Sequence, residues 1–423
     1  MTERAEAFLE RCGMLDPAFD VLTCADRMQL EMKKGLRGEN SSYPMIPTYL
    51  AAAGNIPDGV PVAVIDAGGT NFRSGLVHFE NGHCVEEHVQ KCGMPGIGKP
   101  ATWEEFIRFT ADSVEELMSV TDRIGFCFSY SADVTPDIDG RVIRIDKEVE
   151  ISGCEGRLVG ASLTAELARR GLPGKRVVVL NDTAAVQLGG MAKHLHDGYV
   201  GCFGQVSGTG TNTCCTVPGE FITKLGPDAY TMLINMESGM YDGLRQGDLD
   251  RELDLESHNP GEKHFEKMTA GVYLGELCRR LLRRAGEENL LSVPCFEKIL
   301  QLPHMDSRLP DTWAVGEGME ELSVSPEDAG LIQDLAAFLF RRSASFMCAN
   351  LTAMALLTGA GLNGRTAVFA EGSLVQKNHI YRPTLTALLE KHLRQGLGRD
   401  VSLVVEEDTT LPGAAAAALL NLK

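Results

Sequence analysis

The chain has 423 residues, 44% of them hydrophobic and 23% charged, with a formal net charge of -18. That length exceeds one ordinary hydrophobic core and predicts about two domains. The acidic balance argues against nucleic acid as a partner, because a phosphate backbone demands clustered Lys and Arg.

Residues 1–38 read as helical. Phe19, Leu22, Met28, Met32 and Leu36 fall at spacings that share a helix face, basic residues gather near the end, and Gly38 supplies the stop. Residues 40–61 form a loop rich in Ser, Pro and Gly. Val62 to Val77 then reads VAVIDAGGTNFRSGLV: apolar run, glycine turn, apolar run, which is a β-hairpin signal. Its glycines are expected to take positive φ and to leave room for a ligand at the main chain. A row of N–H groups there would make an anion nest. Asp66, ending a buried strand, is poor packing material and suits ordering a metal-bound water beside a phosphate.

After a return at Asn81-Gly82, residues 103–118 read as an amphipathic helix and 124–130 as a strand, IGFCFSY. Asp139-Gly140 makes a turn before a short strand over 141–145, and a helix spans 161–170. Residues 176–180 are a buried-strand run followed at once by Asn181, Asp182 and Thr183, with a helix from Ala184. Polar groups at the carboxyl end of a strand sit where open α/β sheets bind ligands. The bland alternative is a helix N-cap by Asp182. Residues 199–217, YVGCFGQVSGTGTNTCCTV, repeat the hairpin pattern around Gly208-Thr209-Gly210-Thr211-Asn212, with a tight return expected at Pro218-Gly219. Two such loops more than a hundred residues apart suggest two related halves that would hold a triphosphate from both sides.

Residues 283–330 read as connections between helices, and 331–357 as a long core helix. The uncharged stretch 343–364 approaches membrane length, but Asn350 and its Ser, Thr and Gly residues favour a buried helix. Twelve cysteines include no Cys-x-x-Cys pair, hence no zinc-site spacing. MTERAEAFLERCG has no apolar signal core, so a cytoplasmic location with reduced thiols is expected. No partner among membranes is expected either.

Several blocks together resemble the hexokinases of the eukaryotic type, within the actin-like sugar kinases. They are EMKKGLRGENSSYPMIPTYL at 31–50, the two glycine loops, Ser129 at a strand end, Asn181-Asp182, Ile234-Asn235-Met236-Glu237, Asn259-Pro260-Gly261 with Phe265-Glu266-Lys267-Met268, VFAEGSL at 368–374, and the closing strand 403–407 with the Ala-rich helix from Gly413. Nothing resembling a helix-turn-helix precedes them, which argues against a DNA-binding sugar repressor. The implied fold is an actin-like (ribonuclease H-like) two-domain α/β fold with a central cleft. Residues 60–181 would form the small domain, with 412–423 an optional addition, and 1–59 and 182–411 the large one.

The resemblance implies phosphoryl transfer from MgATP to the 6-hydroxyl of a hexose, glucose before mannose, fructose or glucosamine. Asp182 would be the general base, with Lys147 neutralising charge or holding the sugar. Ser129, Asp146, Asn181, Asn212, Glu237 and Glu266 would position the hexose. Asp66, Gly68, Gly69, Thr70, Asn71 and Arg73 in one loop, and Gly208, Thr209 and Gly210 in the other, would serve the nucleotide phosphates. Gly372 and Ser373 would lie in the adenosine loop. Asp66 would order magnesium through water. Positioning and electrostatics carry most of such a transfer, and domain closure would exclude water as a competing acceptor. The chain departs from the family's Ser-Phe-Pro at Ser129-Tyr130-Ser131, from Trp-Thr-Lys-Gly-Phe at residues 145–149, from Glu-Trp-Gly at Glu237-Ser238-Gly239, and from an adenosine-loop Asp at Glu371. The chemical machinery is kept and the sugar wall altered. A catalytically idle sugar-binding regulator would need to have lost the base or a phosphate loop; both are present. Oligomeric state is not legible.

Overall fold

The computed structural model describes residues 1–69, 71–145 and 149–422. They group into two compact units. One comprises Met1–Pro44, Val206–Asn212 and Glu237–Val405, and the other Met45–Gln205, Thr213–Met236 and Glu406–Lys423. Residues 45–59, 182–205, 213–236 and 406–411 thus group with 60–181, where the sequence reading placed them in the other domain.

The second unit is built on a five-stranded sheet in the order Arg176–Leu180, Arg123–Phe128, Val62–Ala67, Asn71–Glu80, His83–Gly93. The first three strands are parallel; the last three form an antiparallel meander. Side chains alternate between faces along a strand, and the strand VAVIDA shows the consequence. Ala63, Ile65 and Ala67 enter a core beneath the helices Trp103–Val114 and Val159–Arg169. Val62 and Val64 enter a second core beneath Asp182–Lys193 and Thr410–Asn421. By the same parity Asp66 and Cys127 belong to the second face, and Phe126, Phe128 and Tyr130 to the first.

The last helix lies against its neighbours almost backbone to backbone. A Cβ on Gly413 would stand 2.0 Å from the Ala185 carbonyl oxygen, one on Gly125 2.1 Å from that of Ala414, and one on Gly189 2.2 Å from that of Thr409. Only hydrogen fits at these three places. Asp139, read from sequence as a turn residue, also anchors a helix. Its Oδ1 accepts from the Gly140 and Gly160 N–H groups at 2.7 and 2.6 Å, and its Oδ2 from Ala161 at 2.8 Å. It therefore satisfies the otherwise orphaned amides at the start of Val159–Arg169.

The first unit is helix-rich. Its centre is the 33-residue helix Pro326–Thr358, started by a capping box at Ser325 and Asp328 and stopped by Gly359 at φ 74°. Within it Arg342 makes two 2.8 Å hydrogen bonds to Asp250, both residues buried, and Asn350 accepts from the Tyr43 hydroxyl at 2.8 Å. No helix among the described residues is long and apolar enough to cross a membrane.

Three readings of local structure change. The helical region 1–38 is two helices, Glu3–Arg11 and Val21–Arg37, separated by a segment containing Gly13 and Pro17. The connections over 283–330 contain two further helices, Val293–Leu300 and Arg308–Ala314, too short to show a clear period. The first hairpin does return at Asn81-Gly82, both at positive φ, but Pro218-Gly219 opens a longer connection with two short 3-10 turns before the strand Met232–Asn235.

Close packing makes opposite predictions for two glycines. Gly413→Ala should lower the thermal unfolding midpoint by several degrees, since overpacking against backbone costs about 1–3 kcal/mol or more. Gly330→Ala, in the long helix with nothing within 4 Å of its Cβ position, should raise it, Ala being about 1 kcal/mol better than Gly in a helix interior. Calorimetry on the two variants checks both signs.

Candidate active site

Three parallel strands end level with one another. The pairing sets Asp66 opposite Cys127, and Cys127 opposite Leu180. Just beyond this row lie Gly68 and Gly69 after the first strand, Ser129 after the second, and Asn181 and Asp182 after the third. Sequence positions more than a hundred residues apart thereby come to one sheet edge, the carboxyl edge at which such sheets bind ligands. Asp182 is the first residue of helix Asp182–Lys193, and Asn181 is its N-cap, with Oδ1 accepting from the Ala184 N–H at 3.0 Å. The capping role considered for Asp182 is thus filled by Asn181. The Asp182 carboxylate is half-buried and accepts from the Thr183 hydroxyl at 3.2 Å.

Asp66 and Arg73 face each other across the first hairpin. Arg73 donates to Asp66 Oδ2 through Nε at 3.0 Å and one terminal nitrogen at 2.8 Å, to Asp408 at 2.8 Å, and to the Thr410 hydroxyl. The residue expected to assist phosphate binding is therefore also a strut between the hairpin and the last helix. Burial pushes the Asp66 carboxyl above the usual carboxylate range, against the opposing pull of Arg73, and the negative charge of Asp182 adds to the upward shift.

The glycine loops are tight for a reason other than the one expected. Gly68, Gly208 and Gly210 do not have positive φ. They are small because neighbours are close. Added Cβ atoms would lie 3.3 Å from the Asn71 carbonyl oxygen, 3.2 Å from the Ser373 nitrogen and 3.0 Å from Glu266 Oε2, respectively. The first loop closes with the Gly68 N–H donating to the Asn71 carbonyl at 3.0 Å, the second with the Gly208 N–H donating to that of Gly210 at 3.0 Å. One sequence pattern therefore closes in two ways. The side chain of Asn71 is exposed, as is Thr209.

The first unit gathers its own set. The Gly208 loop runs into Thr211 and Asn212. The Thr211 N–H donates to Glu266 Oε2 at 3.1 Å. Asn212 donates through Nδ2 to Glu237 at 3.3 Å and accepts through Oδ1 from the Ser238 N–H at 3.2 Å. Glu237 is held at φ 51°, ψ 46°, a left-handed conformation that costs a non-glycine residue about 1–2 kcal/mol. Glu266 sits on the short helix His264–Thr269, which is fixed from behind. The buried Lys267 ammonium donates to Asp254 at 2.5 Å and to the Asn259 carbonyl at 2.7 Å, and Asp254 also accepts from the Gly261 N–H. Gly372, at φ 120°, would place a Cβ 2.5 Å from the Ser207 carbonyl oxygen, so it brings the exposed Ser373 beside the Gly208 loop.

Thr70, Asp146 and Lys147 lie outside the described residues. The sequence reading missed Asp408 and Thr410, the further partners of Arg73, and Asp254 and Lys267, which set the helix bearing Glu266. A lone acidic residue near a strand end carries no signal for a partner more than three hundred positions away.

The raised Asp66 carboxyl has a pH consequence. Its folded pKa lies above the unfolded value, so the native state holds the proton more tightly. Stability is then lost as pH rises from about 3.9, the ordinary Asp value, through the elevated folded value. Asp66→Asn lacks this contribution, so its stability relative to wild type should improve as pH rises through that window and then level off. Thermal unfolding of both proteins from acid to neutral pH checks this; parallel curves would show that Asp66 titrates as in the unfolded chain.

Two sequence models, each described as hexokinase, match residues 8–191 and 202–420. Hexokinase-2 of Oryza sativa subsp. japonica is 29% identical over 95% of this chain and 88% of its own. The chloroplastic hexokinase-2 of Nicotiana tabacum is 30% identical over 94% and 87%. The solved structure of a Schistosoma mansoni hexokinase complexed with glucose superimposes with a TM-score of 0.80 at 23% identity, covering 99% of both chains. The fold is the actin-like α/β fold expected from the blocks above. With both halves of the chain matched in order, this protein belongs to the hexokinase family.

Proposed function

We propose that the enzyme transfers the γ-phosphoryl group of ATP to the 6-hydroxyl of a hexose, with glucose as the preferred acceptor. Glucose is favoured because it is the ligand named for the similar Schistosoma mansoni structure. The observation that carries the catalytic reading is the placement of Asp182. It stands at the carboxyl edge of the parallel strands, at the start of a helix whose cap is its neighbour. A sugar hydroxyl is a poor nucleophile, and a carboxylate within hydrogen-bond reach can take its proton as the phosphoryl group transfers. Ser129 and the Nδ2 donor of Asn181 would orient the hexose, as would Asn212, Glu237 and Glu266. Carboxylates accepting from sugar hydroxyls make strong, directional bonds. Asp146 and Lys147 would complete the sugar wall.

The two glycine loops, with Thr70, Asn71, Arg73 and Thr209, would serve the phosphates, and Gly372 and Ser373 the adenosine. The described residues contain no cluster of three metal-ligating side chains. Mg²⁺ commonly rides on substrate phosphates and water with one or two carboxylates, and Asp66 is the residue that would hold its water. Bound there, the ion would neutralise charge on the β- and γ-phosphate oxygens. Twelve free cysteines suit a cytoplasmic enzyme of hexose metabolism such as glycolysis.

Asp182→Asn should lower kcat by about 10² to 10⁴, the usual size of a general-base contribution. Because Asn181 is the cap, the unfolding midpoint should barely move. Steady-state kinetics and thermal unfolding on one sample test this, and a near-wild-type kcat would remove Asp182 as the base. Glu237→Gly should separate binding from stability in another way. Relief of the left-handed strain offsets the roughly 0.5–1 kcal/mol entropic cost of glycine, so stability should stay near wild type. The hexose KM should nevertheless rise about tenfold or more, because a charge-assisted bond is lost. Titrating hexose at saturating ATP checks the expected split.

A further inference from the structure

Among the described residues, three hydrogen bonds fix the start of the first glycine loop. The Ala67 carbonyl accepts from the Ser129 N–H at 3.2 Å, the Gly68 N–H donates to the Asn71 carbonyl at 3.0 Å, and the Gly68 carbonyl accepts from the Tyr130 hydroxyl at 2.6 Å. The first two are backbone pairings that many side chains would permit. The third depends on one phenolic oxygen. Tyr130 is only 6% exposed, and its ring packs on Phe128 with centroids 5.2 Å apart, so the hydroxyl is delivered from a fixed base.

The Gly68 carbonyl shares a peptide plane with the Gly69 N–H. In a trans peptide these two groups point in opposite directions. A hydroxyl that holds the carbonyl toward the core therefore turns the Gly69 N–H away from the core. Glycine has unusual freedom to rotate about the bonds flanking that plane, so a side-chain hydroxyl bound to its carbonyl restrains it. Since the Gly68 N–H is already taken by Asn71, the Gly69 N–H is the first amide of this loop that can face a ligand.

We propose that Tyr130 is a positioning residue for nucleotide phosphate. Its hydroxyl sets the Gly68–Gly69 peptide plane so that the Gly69 N–H is preorganised toward an anionic phosphate oxygen. Donors fixed before the substrate arrives need no reorganisation during the reaction, and this is the usual source of electrostatic advantage in such sites. Tyr130 also follows Ser129 directly, so the residue placed on the sugar wall and the anchor of the phosphate loop are consecutive on one strand end. The inference rests on the reading of the first glycine loop as phosphate-binding.

The test is Tyr130→Phe, which keeps the ring and removes only the hydroxyl, compared with Gly69→Val, which crowds the loop itself. For each, KM is measured for MgATP at saturating hexose and for hexose at saturating MgATP, with the unfolding midpoint on the same preparation. Tyr130→Phe should raise the MgATP KM by about three- to tenfold, the usual effect of one hydrogen bond, with the hexose KM little changed. An unchanged MgATP KM in Tyr130→Phe, alongside a raised one in Gly69→Val, would overturn the role of Tyr130 and leave the phosphate-loop reading standing. Unchanged values in both would remove the phosphate-loop reading and the proposal with it. A matched rise in both KM values with a lowered midpoint would mark general loosening, and would also overturn the proposal.

Discussion

The ion pair between Asp66 and Arg73 fixes the first hairpin of the sheet-centred unit. Both side chains are largely buried, so neither charge is well solvated alone. Removing one partner of such a pair typically costs about 3–5 kcal/mol, because the other is left uncompensated. Arg73 extends the constraint by holding Asp408 and Thr410 as well, which ties the first hairpin to the start of the last helix. The Asp66 carboxylate is thus placed by residues near the C-terminus as well as by its own strand. Its elevated pKa is the electrostatic consequence of that burial.

A second constraint is steric. Glycines at 125, 189 and 413 let backbone approach backbone around the last helix, and those at 68, 208 and 210 let the two loops sit close to their neighbours. In these places glycine serves by the absence of a side chain. Positive φ is needed at other positions, such as the Asn81-Gly82 return, the Gly359 helix stop and Gly372 beside the second loop. The two glycine loops share a sequence pattern yet close with different hydrogen bonds, so likeness of sequence did not carry likeness of geometry.

The helix-rich unit reaches its own polar arrangement by buried ionic support. Lys267 and Asp254 fix the short helix that presents Glu266, and Asn212 exchanges hydrogen bonds with Glu237 and its neighbour. The left-handed backbone at Glu237 stores a small strain, of the kind that persists where surrounding contacts over-determine a conformation. Glu237→Gly therefore tests a site in which geometry is held at some expense to local stability.

Much was legible from residues alone. The strand Arg176–Leu180 with Asn181-Asp182 at its end, the first glycine hairpin and its Asn-Gly return, and the long buried helix all follow from apolar periodicity and from turn and stop chemistry, which act over a few residues. The family could be recognised because several short blocks occur in the right order along the chain. What the sequence could not show were interactions set by distance in space. Asn181 rather than Asp182 caps the helix, because the strand delivers Asn181 with extended backbone angles. Asp139 binds the amides of a helix about twenty residues on, and Arg73 finds Asp408 and Thr410 more than three hundred residues on. Tyr130 stands out in sequence only as a departure from the family's Ser-Phe-Pro; the folded chain shows that its hydroxyl reaches Gly68. Local patterning determines which elements form, whereas partners for buried polar groups are chosen by the register of the strands and the packing of helices upon them, and these exist only once the chain has folded.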